Sequence, residues 1–240
     1  MIDAEKKNNA LLAGIFQMRV GNGARRLKKA VDDKRFGRLS LCSAYLKWWR
    51  DQSYYDSAAW RGTRKLDGGG ALMNQGIHAV DLLQWIVGMP SELFAYSGCL
   101  SHDRIEVEDT IAVALRYAHG GMGVIEASTA CKPGSNLRIE IAGSKGSAIL
   151  ENDQIISWKF EEEEPEDALI RSETGGVIGG GSRDPKAIGM EGHRLLIEDF
   201  VCSIREKKRP MISGKEARNS VQLIFAAYQS SILNRPVKLN

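Results

Sequence analysis

The feature that most constrains the fold is a series of six short β-type runs between residues 93 and 160. Each run is rich in β-branched or aromatic residues, and Gly, Asn, Asp or His turns separate it from the next. The runs cover residues 93–100, 110–117, 122–129, 137–141, 148–150 and 155–160. Because no helical pattern interrupts the series, it predicts a largely antiparallel meander.

Helical patterns lie on both sides of these runs. A polar helical stretch precedes an apolar run at residues 11–18, which predicts a strand, and a second helical stretch extends to about residue 34. Residues 39–49 predict a long strand, and residues 71–87, 192–207 and 215–233 have the apolar spacing of helices. Residues 161–188 are too acidic and too glycine-rich for a core and predict a mobile excursion. The chain therefore predicts an α+β fold, with a largely antiparallel sheet of about six or more strands and helices on one face.

Composition and charge exclude several classes of protein. The 240 residues are 43% hydrophobic and 26% charged, which is ordinary for a globular chain. Residues 1–50 hold 12 Lys and Arg against 4 Asp and Glu, a net charge of +8. No nucleic-acid motif accompanies this charge, so a solvated helix face is favoured and nucleic-acid binding ranks last among the hypotheses. No stretch approaches the roughly 18 apolar residues of a membrane span, and residues 1–9 lack the basic-then-apolar order of a signal peptide. These patterns predict no membrane partner and a cytoplasmic location.

Two patterns that resemble cofactor or metal sites fall short of the known motifs. Gly21-Asn-Gly23-Ala-Arg-Arg26 follows a predicted strand and opens a helix, but Arg26 stands where a dinucleotide fingerprint needs its third glycine. The cofactor-binding residues of this chain therefore stay unknown. His102 and four carboxylates within residues 103–109 form the densest set of possible metal ligands, but no second histidine lies at ligand spacing, so no metal site is predicted.

The most informative stretch is residues 66–83, which read LDGGGALMNQGIHAVDLL. If this stretch is helical from about Ala71, Asn74 and His78 lie four residues apart on one face, and Asp81 follows three residues later. A histidine with the usual pKa of about 6.5 accepts a proton at neutral pH, and an amide one turn away orients a substrate hydroxyl without adding charge. Gly76 would let a ligand or another backbone approach the helix. Spacing alone leaves open whether His78 is a catalytic base or a hydrogen-bonded structural residue.

The runs Trp60-Arg61-Gly-Thr and DGGGALMNQGIHAVDLL, at residues 67–83, resemble the signature of the Gfo/Idh/MocA oxidoreductases. The resemblance extends to Arg19, to FGRL at residues 36–39 and to the strand pattern beyond residue 92. It implies a two-domain enzyme, in which an N-terminal Rossmann domain binds NAD(P). A C-terminal α+β domain shapes the substrate site in this family and usually mediates dimers or tetramers.

The resemblance covers the second half of the family pattern. Residues 1–35 resemble a helix–strand remnant of the Rossmann domain with its linking helix, and residues 36–240 resemble the substrate-binding and oligomerisation domain. The glycine fingerprint and the family's Glu-Lys-Pro motif are missing from the sequence. NAD or NADP is therefore expected for the full-length family, and neither is expected to bind tightly to this chain.

The resemblance also implies roles for particular residues. His78 matches the histidine that acts as general base on the substrate hydroxyl. Asn74 occupies a position that many members fill with aspartate, and because an amide cannot ionise, we expect it to orient a hydroxyl or His78 but not to relay a proton. Substrate contacts are expected in segments that line the family's cleft, at Arg19, Lys47, Trp60 and Arg61.

The leading hypothesis is an NAD(P)-dependent sugar or polyol dehydrogenase, with nucleotide-linked sugars as one candidate substrate class. The chain would represent its C-terminal substrate domain and is expected to be inactive alone. The alternative is a non-catalytic sugar-binding or oligomerisation module. The expected partners are a small sugar or polyol and further copies of the chain, in a homodimer or homotetramer formed through the sheet.

Overall fold

An eight-stranded sheet forms the centre of the computed structural model, which describes residues 1–173 and 189–239. The strands are β1 (Leu39–Lys47), β2 (Glu92–Gly98), β3 (Thr110–Arg116), β4 (Met122–Ser128), β5 (Arg138–Gly143), β6 (Gly146–Glu151), β7 (Gln154–Phe160) and β8 (Val237–Lys238). Their order across the sheet is β7-β6-β5-β1-β4-β3-β2-β8. All six predicted runs between residues 93 and 160 are strands, with ends shifted by at most a few residues.

The prediction of a largely antiparallel meander is corrected by the position of β1. This strand lies between β4 and β5, parallel to β4, with Leu41 opposite Met122 and Ala44 opposite Ile125. The sheet is therefore mixed, and β1 separates two antiparallel units, β2–β4 and β5–β7. Consecutive strands usually pair, so a sequence reading places β4 next to β5. The pairing of β1 with β4 joins segments about 80 residues apart and leaves no local signal.

Eight helices are described within residues 1–173 and 189–239: α1 (Ile2–Lys7), α2 (Asn22–Asp32), α3 (Gln52–Asp56), α4 (Ala71–Asn74), α5 (Ile77–Val87), α6 (Asp167–Ser172), α7 (Glu191–Glu206) and α8 (Gly214–Leu233). The strand predicted over residues 11–18 is wrong. Apart from one bridge between Ala13 and Ser213, that segment makes no strand pairing in the described part of the chain, and it runs into a 3₁₀ turn at Gln17–Val20. The remnant at residues 1–35 and the boundary at residue 36 stay predictions.

The core lies between the sheet and the helices. Alternate residues of each strand are buried, as in Cys42, Ala44 and Leu46 of β1, and they pack with buried residues of α2, α5 and α8. The opposite face of the sheet carries exposed apolar side chains, among them Leu41, Tyr96, Met122 and Ile156. No helix within residues 1–173 and 189–239 is long and apolar enough to cross a membrane.

The acidic segment after β7 is partly ordered, contrary to the prediction of a mobile excursion. Residues 167–172 form α6, and the carboxylate of Asp167 is fully buried. It accepts hydrogen bonds from Arg35 Nη1 at 2.7 Å and from Trp158 Nε1 at 2.6 Å. Those bonds anchor the start of this segment to the core, and the rest of it, residues 174–188, lies outside the described residues.

Candidate active site

The helix predicted over residues 71–87 is divided in two by the residues that separate α4 from α5. The Gly76 N–H donates to the Ala71 carbonyl five residues back, at 2.7 Å, so this turn is wider than an ordinary α-helical turn. A side chain on residue 76 would come within 2.8 Å of main-chain atoms of Leu72. The glycine therefore accommodates the protein's own backbone at this turn, which is the second of the two roles the sequence left open.

His78 lies in the first turn of α5, and its side chain is partly buried. Its Nδ1 atom is buried and has no hydrogen-bond partner among the described residues. Burial lowers the pKa of His78 to about 4, and the neighbouring His193 of α7 acts in the same direction. The imidazole is therefore neutral near pH 7, with one unprotonated ring nitrogen, and it is a weaker base than an exposed imidazole.

Asp67 connects Asn74 to the turn that contains Trp60. The Asn74 amide nitrogen donates to Asp67 Oδ1 at 2.6 Å, and the Gly62 N–H donates to Asp67 Oδ2 at 2.8 Å. The described residues show no hydrogen bond between Asn74 and His78. The carbonyl oxygen of Asn74 is then the part of this side chain best suited to accept a hydrogen bond from a substrate hydroxyl.

Arg61 and Trp60 lie beside Tyr54 in the same cluster. The guanidinium carbon of Arg61 is 4.1 Å from the centre of the Tyr54 ring and 4.7 Å from that of Trp60. Arg61 Nε is buried and has no partner within the described ranges, while Gln75 Nε2 donates to the Tyr54 hydroxyl at 3.1 Å. A planar cation between two aromatic rings offers hydrogen-bond donors and apolar faces together, the combination that sugars need.

Arg19 and Lys47 are each held by a carboxylate. Arg19 is 3% exposed and forms a bidentate pair with the fully buried Asp81, with N–O distances of 2.7 and 2.8 Å. Lys47 pairs with Glu126 at 2.7 Å on the outer face of the sheet, opposite the helices, and this raises the pKa of Lys47. The structure thus brings Asn74, Trp60 and Arg61 into one cluster with Asp67, and Asn74 precedes His78 by four residues. Arg19 and Lys47 instead form ion pairs with Asp81 and Glu126.

The carboxylates of residues 103–109 do not converge on one point. His102 Nδ1 lies 2.9 Å from Asp109 Oδ2, and His102 Nε2 lies 2.8 Å from the Arg50 carbonyl oxygen. Glu108 turns instead towards α4, where it accepts from the Leu72 N–H at 3.0 Å. In the described part of the chain, no group of three or more His, Cys, Asp or Glu side chains is placed to hold a metal ion.

The glycine pair at the start of α2 contacts a carboxylate. The Gly23 N–H donates to Asp153 Oδ1 at 2.9 Å, and a side chain on Gly21 would come within 2.2 Å of that oxygen. The Asp153 carboxylate thus takes the position at the helix N-terminus that a phosphate occupies in a dinucleotide fold. The residues of this segment therefore do not fit a nicotinamide cofactor.

His78→Gln is expected to lose less stability in acid than the natural chain. The pKa of His78 is lowered to about 4 from an ordinary 6.5, so the unfolded chain binds a proton at this site at pH values where the folded chain does not. The loss of folding stability that this proton uptake causes is absent above pH 6.5 and grows as the pH falls towards 4. Urea unfolding at about pH 7 and at about pH 4 should show the variant retaining about 2–3 kcal/mol more of its neutral-pH stability.

The matched control for this measurement is His119→Gln, because His119 is exposed in the turn between β3 and β4. It is expected to lose as much stability in acid as the natural chain. An identical acid loss in all three proteins would contradict the burial of the His78 imidazole.

Two residues of the cluster, and a third residue beside His78, were not assigned a function from the sequence. Asp67 and Gln75 lie inside the recognised run, but their partners, Asn74 and Tyr54, are fixed by the fold. The sequence places His193 at the start of a helix and leaves open whether it caps that helix or approaches the site; its approach to His78 comes from the packing of α7. A signal existed for Asp67 alone, as the first acidic residue of the recognised run.

Comparisons with known proteins agree with this fold. The family model for the GFO/IDH/MocA C-terminal domain matches residues 24–149. The WlbA dehydrogenase from Bordetella pertussis, solved in complex with NADH and UDP-GlcNAcA, is 33% identical, covers 100% of this chain and 66% of its own, and has a TM-score of 0.87. The WlbA dehydrogenase from Chromobacterium violaceum, with the same two ligands, is 31% identical at the same coverage, with a TM-score of 0.86.

A curated relative belongs to the same group of enzymes. Myo-inositol 2-dehydrogenase from Thermotoga maritima is 25% identical over 252 residues, covering 100% of this chain and 67% of its own length. The matched family model and the solved neighbours identify the fold as that of a C-terminal domain of oxidoreductases. The chain belongs to the Gfo/Idh/MocA family, and it spans about two thirds of the length of these relatives.

Proposed function

We propose that this chain is the substrate-binding domain of an NAD(P)-dependent dehydrogenase that oxidises a sugar or polyol, with nucleotide-linked sugars as the favoured class. The observation that carries the proposal is the neutral His78, whose buried Nδ1 is unpartnered among the described residues. It follows Asn74, a member of the cluster with Trp60 and Arg61, by four residues along the chain. Family membership and relatives that bind UDP-GlcNAcA or act on myo-inositol support it.

In this proposal the chain binds the sugar and removes one proton. Trp60 and Arg61 hold the sugar by an apolar face and by N–H donors, and the Asn74 carbonyl oxygen orients the hydroxyl. His78 accepts the hydroxyl proton, because its imidazole is neutral near pH 7. Arg19 and Lys47 stay predicted substrate contacts, each of which would have to share its side chain with a carboxylate partner.

A cofactor domain outside these residues would hold the nicotinamide. The Asp153 carboxylate at the start of α2 supports this division of roles, because a cofactor phosphate at that helix would meet a negative charge. The same contact favours the second candidate, a non-catalytic sugar-binding or oligomerisation module. The cytoplasmic location stays a prediction.

We also propose that copies of this chain associate through the outer face of the sheet, as a homodimer or homotetramer. Leu41, Tyr96, Met122 and Ile156 expose apolar side chains on this face. Exposed apolar residues on a single face are typical of protein interfaces.

Calorimetric titrations of the 240-residue chain test the proposed division of roles. UDP-GlcNAcA or myo-inositol is expected to bind saturably, and NADH is expected to give no saturable heat. Arg61→Gln should weaken the sugar ligand about 10-fold, because a charged donor is lost. Arg116→Gln, an exposed arginine on β3, is the matched control and should leave binding unchanged.

Two results of these titrations would contradict the proposal. Tight binding of NADH would place the cofactor site within this chain. Sugar binding that responds equally to the substitutions at Arg61 and Arg116 would place the sugar away from the cluster.

A further inference from the structure

A second cavity lies on the side of α4 that faces α8. Its volume is about 540 Å³, and its apolar wall is formed by Val107, Phe225, Tyr228, Ile232 and Leu233. Ligand cavities typically measure about 300–1,000 Å³ and are mostly apolar with a few polar groups. Its lining includes none of His78, Asn74, Trp60 or Arg61.

A buried carboxyl group builds the floor of this cavity. Glu108, which is 9% exposed, accepts hydrogen bonds from the Gly70 N–H at 3.1 Å, the Leu72 N–H at 3.0 Å and the Tyr228 hydroxyl at 2.9 Å. Burial raises the pKa of Glu108. Because these donors engage both of its oxygens, Glu108 holds the floor of the cavity in place and has little capacity left to accept hydrogen bonds from a ligand.

The glycines before α4 shape one side of the cavity. A side chain on Gly69 would come within 2.6 Å of the Tyr228 hydroxyl, whereas one on Gly68 would meet nothing within 4 Å. Gly68 has a φ of +81°, a conformation that disfavours any other residue. The chain therefore leaves open space at Gly68, next to Asp67.

A cation lies at the rim of the cavity. Arg64 lines it and is held by its Nε, which donates to the Glu106 carbonyl oxygen at 2.9 Å. Its main-chain N–H donates to the Glu106 carboxylate at 2.9 Å. The two Nη groups of Arg64 have no hydrogen-bond partner within the described residues, so they can bind an anion in a bidentate manner.

We propose that this cavity binds an amphipathic organic anion, with its apolar body against Phe225 and Ile232 and its carboxylate on Arg64. The ligand would contact Gly68 and Gly69, which connect Asp67 to α4. Asp67 positions the Asn74 amide, so a ligand in the cavity would affect the position of Asn74 in the proposed sugar site. This site is separate from the one proposed for the sugar and does not depend on it.

A pair of ligands with the same chain length tests the charge requirement. Decanoate and decan-1-ol are titrated separately into the 240-residue chain by calorimetry at neutral pH. Decanoate is expected to bind about 10-fold more tightly than decan-1-ol, because Arg64 forms charge-assisted hydrogen bonds with the carboxylate. Arg64→Gln should abolish this preference by weakening decanoate alone.

Phe225→Ala tests the apolar wall. Phe225 is 57% exposed, so its truncation is tolerated by the fold, and both ligands are expected to weaken by about 5-fold or more. Arg116→Gln, on β3, serves as the control and should change neither ligand.

Three outcomes would overturn the proposal: equal affinity for the two ligands, an unchanged preference in Arg64→Gln, or binding that Phe225→Ala does not weaken. Sedimentation velocity tests whether a second copy of the chain occupies the cavity instead, because it measures self-association. A loss of self-association in Phe225→Ala, without decanoate binding to the natural chain, would show that the cavity belongs to an interface between copies.

Discussion

Arg19→Ala is expected to lower the free energy of unfolding by about 3–5 kcal/mol. The guanidinium of Arg19 and the carboxylate of Asp81 are both buried, at 3% and 0% exposure, and two short hydrogen bonds join them. When the cation is removed, the Asp81 carboxylate keeps hydrogen bonds only from the Ser220 hydroxyl and the Gln84 amide among the described residues, and neither donor carries a charge. Urea unfolding at neutral pH, followed by tryptophan fluorescence, measures the loss.

The double variant Arg19→Met/Asp81→Leu separates two quantities: the destabilisation caused by an unpaired buried charge and the net contribution of the ion pair to stability. Apolar replacement of both members is expected to recover most of the stability lost in Arg19→Ala, since no desolvated charge then remains. The control is Lys28→Ala, which breaks the exposed pair with Asp32 and should cost less than about 1 kcal/mol. A loss of that small size in Arg19→Ala would show that the Asp81 carboxylate is solvated.

The position of this pair gives it a second consequence. Asp81 lies one turn after His78 in α5, and Arg19 fixes that helix to the 3₁₀ turn at Gln17–Val20. A weakened pair would therefore affect the orientation of the His78 imidazole as well as stability. A contribution of Arg19 to substrate binding is then to be measured in Arg19→Lys, which keeps a cation beside Asp81.

The sequence predicted the elements of the sheet better than its connections. Strands such as β3 and β4 show an alternation of buried and exposed residues that any local reading detects, and their ends were correct within a residue or two. The insertion of β1 beside β4 depends on pairing between distant segments. The 3₁₀ turn at Gln17–Val20 follows from tertiary packing that overrides an apolar run.

The candidate site was predictable where the signal lies in one continuous run. Asn74 and His78 were identified from residues 67–83, and Trp60 and Arg61 from the run just before it. The break in the helix at Gly76 was missed because apolar spacing continues on both sides of it. The contact of Asn74 with Asp67 and the approach of His193 to His78 depend on the fold, so no spacing rule could supply them.

The contact with Asp67 also explains why an amide suits residue 74 in this chain. The Asn74 nitrogen donates to Asp67 Oδ1 at 2.6 Å, and an aspartate there would place two carboxylates in hydrogen-bond contact. Like charges at that distance force one group to hold a proton. The amide keeps the geometry without that proton, so the transfer of the substrate proton depends on His78.

His78→Ala is expected to lower kcat by on the order of 10²-fold or more in a protein that joins this chain to the nicotinamide-binding domain proposed above. The substitution removes the neutral imidazole that accepts the hydroxyl proton, while Trp60, Arg61 and Asn74 still hold the sugar. KM is therefore expected to change much less than kcat. The rate of NADH formation with the sugar or polyol that the enzyme oxidises measures both constants.

The pH dependence distinguishes a base from a residue that merely packs. Because the pKa of His78 is lowered to about 4, kcat/KM of the two-domain protein proposed above should fall only as the pH approaches 4. This fall should be absent in His78→Ala. His119→Ala, an exposed histidine, should leave kcat and the pH profile unchanged. An unchanged kcat in His78→Ala would remove His78 as the base. Sugar binding without any turnover in the unsubstituted two-domain protein proposed above would favour the non-catalytic module, since binding and proton removal depend on different atoms of this site.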